Sequence, residues 1–160
     1  MSAKPIIEQL KRLCVLNEHL LTLSEEKTEA LKAGKTKELS SILTKEQKYI
    51  QAIGQTEEER IRLTSQFLSR GEDNTIAACI SRTSGSEKQE LEGLFHSLSA
   101  LLDRLKEVNE MNKQLTIQAL QFISGAFDMI MPGEKENMNY KEPQAARKPV
   151  SRLTLFDSKA

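Results

Sequence analysis

Two cysteines and two histidines carry most of the chemical reach of this chain: Cys14, Cys79, His19 and His96. Thiolates and imidazoles are what a tetrahedral metal site needs, and on one helix they must stand three or four residues apart to share an ion. Cys14 and His19 are five apart, and the cysteines have no C-x-x-C spacing. Glu92 and His96 stand at i, i+4, but a lone pair of that kind is ordinarily a surface ion pair. The Glu-x-x-His motif of di-iron bundles does not occur. Neither does a P-loop, a G-x-G-x-x-G or a nucleophile elbow. "EEER" at Glu57–Arg60 reads as a solvated face, not as the sheltered acid or base that proton transfer requires. No catalytic residue, metal site or cofactor is expected. Two thiols among apolar residues, without scaffold spacing, read as small buried side chains in a reducing compartment.

The groups that remain are amides. "KEVNEMNKQLTIQALQFIS", Lys106 to Ser124, has helical periodicity, yet Asn109 and Asn112 sit beside or within a line of Leu and Val. A buried amide in an apolar seam costs stability and sets register, because only one alignment meets its hydrogen bonds. Asn17, in the seam of the first helix, is the candidate partner. On this reading Asn109 and Asn112 lock the folded bundle and mark where a partner's surface begins. The alternative is that Asn109 faces solvent and Asn112 is an ordinary polar defect in the core.

The elements that must position them are helices. Leu, Glu, Lys, Ala, Gln and Ser dominate, aromatic residues are 4%, and Trp is absent. The first helix is expected from Pro5 to Lys32, with Ile6, Leu10, Leu13, Asn17, Leu20 and Leu31 in its seam. Gly34 suits its C-cap, and Thr36 is expected to cap the next helix. So short a turn makes the first two helices antiparallel neighbours. The second helix runs from about Thr36 to Leu68, with a bend or fraying expected at "GQTEEER" around Gly54. A short helix follows from Thr75 to Arg82, capped by Asp73 or Asn74. Ser84 with Glu87, or Ser86 with Gln89, offers a capping box for the last helix.

That last helix is expected from about Ser86 to Met131, roughly 65–70 Å at 1.5 Å per residue. Its seam, Leu91, Leu94, Leu98, Leu101, Leu105, Val108, Asn112, Leu115, Ala119, Phe122, Ala126 and Met129, keeps a 3–4 spacing throughout. The neighbouring line reads Asn109, Lys113, Thr116, Leu120, Ile123, Phe127 and Ile130, polar at first and apolar afterwards. The helix thus has one apolar seam before Asn112 and two after it. By length it outruns the first two helices by roughly 20 Å. An uncovered apolar end of that kind is a surface for a partner or for self-association.

The fold class is therefore all-α: an elongated antiparallel helical hairpin or bundle with one long C-terminal helix. Residues 1–131 form the helical domain. Residues 132–160 are polar, Pro-bearing and aperiodic, and read as a disordered tail with one apolar cluster at Leu153, Leu155 and Phe156. The formal net charge is zero and Lys and Arg alternate with Glu, so no nucleic-acid partner is expected. "MSAKPIIEQLKRL" lacks a signal-peptide core, and no apolar run reaches membrane-spanning length, so no stable membrane insertion and a cytoplasmic location are expected.

The sequence resembles the FlgN-type flagellar export chaperones. "LLTLSEEKTEALKAGKTKEL" is similar to that family's early helix and Gly turn, and "NEMNKQL" to its Asn-x-x-Asn-x-x-Leu signature, matched here by Asn109, Asn112 and Leu115. The resemblance covers roughly residues 6–130. It implies a chaperone domain that binds the C-terminal helical ends of hook-associated proteins and keeps them from polymerising. It implies delivery of those clients to the flagellar type III export apparatus, and a client site in the C-terminal part. The residues themselves nominate Leu115, Ala119, Leu120, Phe122, Ile123, Ala126, Phe127 and Ile130 as the surface for an amphipathic client helix. Two other readings make use of the same seam: a structural coiled-coil homodimer, and a helical regulator that sequesters some other partner. Self-association in the absence of client fits all three.

Overall fold

A computed structural model of the protein describes residues 1–131. The expectations for residues 132–160, including the Leu153–Phe156 cluster, lie outside the described residues. Among the described residues the fold is all-α, with four helices: α1 (Lys4–Ala33), α2 (Thr36–Phe67), α3 (Ile76–Arg82) and α4 (Gly85–Ile130). By its internal contacts the chain divides into two units, Met1–Ala119 and Leu120–Ala160, and α4 crosses that boundary.

α1 begins with Pro in its first turn, where a missing N–H costs nothing. It ends at Gly34, whose left-handed backbone returns its N–H to Ala30 and Leu31 carbonyls. α2 then runs back along α1. The Lys27 ammonium meets Glu46 at 2.9 Å in a mostly buried pair, and His19 stacks on Tyr49, so the two helices are antiparallel.

Three sequence expectations at helix ends need correction. Thr36 does not cap α2; Lys35 occupies the cap without a side-chain bond, and Thr36 is already helical. The cap of α3 is Thr75, whose hydroxyl accepts from the Ala78 N–H, not Asp73 or Asn74. Glu87 does not close a capping box on its own helix. Its carboxylate reaches across to the start of α1, accepting from Ser2 Oγ at 2.6 Å and the Ala3 N–H at 2.9 Å. α4 starts instead from Gly85 in a left-handed conformation, which glycine adopts without penalty.

α2 runs unbroken through Gly54, and Thr56, Arg60 and Thr64 beyond it are buried. Arg60 is thus no solvated residue, as "EEER" suggested. It is buried, with a two-pronged bond to the Glu57 carboxylate.

The direction of α4 along α1 was not foreseen. Ala3 pairs with Glu87 and Thr28 with Asn112, both at a separation of 84 residues. Lys11 meets Glu90 at 2.7 Å and Arg104 meets Glu25 at 3.6 Å. Sequence position rises together on both sides, so α1 and α4 run parallel. At that offset Ala33, the last residue of α1, is level with Ile117. One apolar cluster joins Ile6, Leu10, Leu13 and Cys14 of α1 to Phe67, Leu68, Cys79, Leu91 and Leu98. A smaller one joins Leu23 and Ala30 to Ile42 of α2.

Candidate partner-binding surface on the last helix

Asn112 is where the core of α4 ends. Buried residues of this helix are Leu91, Leu98, Leu105, Val108 and Asn112, with none beyond. The Asn112 side chain donates from Nδ2 to the Ser24 carbonyl at 2.9 Å and accepts from Thr28 Oγ1 at 2.5 Å. Thr28 also lies 3.1 Å from the Ser24 carbonyl. A hydroxyl has a single proton, and the shorter contact takes it. Asn112, Ser24 and Thr28 are all buried, so both edges of the amide are met by α1 in one register.

Asn17 is buried as the seam reading requires, but it is not the partner of Asn112. Its Nδ2 bonds to the Leu13 carbonyl one turn back in its own helix. The signal for the true partner was a gap: the seam of α1 has no apolar residue at Ser24 and Thr28. Asn109 follows the alternative reading and faces solvent. It is exposed and lines a cleft of about 390 Å³ with Leu20, Lys27, Glu46, Lys113 and Thr116. Only one of the two asparagines is therefore a lock.

Beyond Asn112 the helix changes character. Leu115 is partly buried, and Ala119, Leu120, Phe122, Ile123, Phe127 and Ile130 are exposed, with Ala126 in between. Phe122 is 77% exposed and Ile130 79%. Between Leu120 and Met131 the one charged residue is Asp128. This surface offers no acid, base or nucleophile arranged for chemistry. What it offers is apolar area, and what that area does in water is associate.

The residues first considered for metal binding are not brought together. Cys14 and Cys79 are free and buried, and burial holds both thiols above the ordinary cysteine range. His19 lies on Tyr49, and His96 stands beside Phe95. Among the described residues no group of three or more His, Cys, Asp or Glu could hold an ion. Nor is any described helix long and apolar enough to cross a membrane.

A family model described as "FlgN protein" matches residues 1–148. The chain is also 70% identical over 161 residues to a protein of Bacillus subtilis (strain 168) described as "Uncharacterized protein YvyG", with 100% of both chains covered. No solved structure matches it.

Proposed function

The chain belongs to the FlgN family of flagellar chaperones, and from that premise we propose that it binds the C-terminal helical segments of hook-associated proteins. It keeps them unpolymerised in the cytoplasm and delivers them to the flagellar type III export apparatus. The observation that carries this reading is the bare end of α4. Leu120, Phe122, Ile123, Met129 and Ile130 are each more than 60% exposed, immediately after the last buried residue of the helix.

Magnitudes say how much of the face a client needs. Leu120, Ile123, Phe127 and Ile130 are 61%, 63%, 41% and 79% exposed, so burying what is still in water is worth together about 4–7 kcal/mol at 1.5–3 kcal/mol per fully exposed side chain. Micromolar binding needs about 8 kcal/mol after association costs of at least ~4 kcal/mol. A client covering this one line falls short. A client that also covers Phe122, Ala126 and Met129 comes closer, which favours one lying across both lines and adding buried area of its own. Met and Phe repack readily, which suits a surface that takes more than one client.

The test is light scattering coupled to gel filtration, on the chain alone and mixed with a C-terminal fragment of a hook-associated protein. A 1:1 complex is expected, formed at the expense of any self-dimer. Phe127→Asp and Phe122→Asp should each weaken the complex at least tenfold while circular dichroism stays helical. A stable dimer that ignores the fragment would leave the structural coiled-coil reading in its place.

A further inference from the structure

We propose that the bare face of α4 has a resident occupant in the client-free protein: this chain's own segment Leu153–Phe156. The face is apolar and exposed at Leu120, Ile123, Phe127 and Ile130, and no described residue covers it. Twenty-nine residues follow Met131. Within them, Leu153, Leu155 and Phe156 are the one place where three large apolar side chains fall within four residues. This cluster also lies past residue 148, where the match to the family ends.

The tether has the right length. Twenty-one residues separate Met131 from Leu153, and they are mostly polar. A random coil of that many residues has a root-mean-square span of ~25 Å. The helical face from Leu120 to Ile130 is ~15 Å long. A span of the same order as the target gives an effective concentration near the millimolar range. At that concentration a contact too weak to detect between separate molecules is occupied for much of the time. Three apolar side chains suffice for such a contact, whereas a second copy of the chain would need to bind a thousandfold tighter to compete at micromolar protein. The tail then acts as a placeholder that shields the face and multiplies the apparent affinity for a client by the fraction of time the face is free. The competition rests on the client reading above; the docking itself does not.

Hydrogen exchange of the full chain tests it, comparing wild type with the double variant Leu153→Ser, Phe156→Ser at low micromolar concentration. The expected result is that amides of residues 120–131 exchange several-fold faster in the variant, with residues 1–112 unchanged. The variant should also bind the hook-associated fragment about three- to tenfold more tightly. Equal exchange in the two proteins overturns the proposal, and so does protection that follows protein concentration instead of the tail substitutions, since a second copy is then the occupant. Faster exchange in the variant with no fragment binding by either protein upholds the docking and removes the client reading.

Discussion

Asn109 and Asn112 are three residues apart in one helix, and their environments give them different work. Asn112 is buried and bonded to Ser24 and Thr28, while Asn109 is exposed in the cleft that both asparagines line. Asn112→Leu removes an amide but strands no partner, because the Thr28 hydroxyl, once released from Asn112, donates to the Ser24 carbonyl 3.1 Å away. Stability should stay within about 1 kcal/mol of wild type, with register less strictly held. Asn112→Asp places a carboxylate against the Ser24 carbonyl and should cost about 3 kcal/mol or more in urea unfolding. Equal stability of the two variants would sink the argument. The Glu87 carboxyl is held below its ordinary value of 4.5 by the bond from Ser2 and then that from the Ala3 N–H. A depressed folded value means the contribution is complete above that ordinary value and is lost as pH falls through the folded one. Glu87→Gln should therefore lower Tm at neutral pH, and the gap to wild type should close under acid; a gap that persists at low pH contradicts the assignment. That an amide would sit in the α4 seam was legible from spacing. Which residues would meet the amide was not, because they stand on a helix 84 residues away.

At the scale of elements, the 3–4 spacing of apolar residues placed all four helices to within a residue or two of their observed bounds. Helix ends were less legible. Thr36 has a capping side chain but is helical, and Glu87 has a local box available yet spends its carboxylate on α1. Local propensity weighs little where a tertiary bond satisfies a more deeply placed N–H. The same holds at Gly54, where α2 stays helical through a weak stretch and Thr56, Arg60 and Thr64 beyond it are buried. α4 itself is one helix with two stability regimes. Leu91→Ala, at a fully buried position, should cost about 2–5 kcal/mol. Leu120→Ala, at a position mostly in water, should change unfolding by no more than about 0.5 kcal/mol. Similar costs at both sites, measured by urea unfolding, would mean that Leu120 belongs to the permanent core and not to a face that an occupant covers weakly and part of the time.

At the scale of the whole molecule, fold class and family were both readable from the chain. The family showed through "NEMNKQL" and the early Gly turn, and the fold class showed through composition and period. The parallel alignment of α1 with α4 was hidden, since periodicity reports which face is apolar and not what lies against it. The alignment has a consequence for how the protein is made. α1 leaves the ribosome first, but Leu91, Leu98 and Asn112 arrive 84 or so residues later than the parts of α1 they cover. At 5–20 residues per second that interval is roughly 4–17 s, far longer than a helix needs to form. For those seconds the α1–α2 hairpin stands with Ile6, Leu10 and Leu13 open to whatever the nascent chain meets. A protein that would spare its clients from sticking too early has to come through the same hazard during its own synthesis.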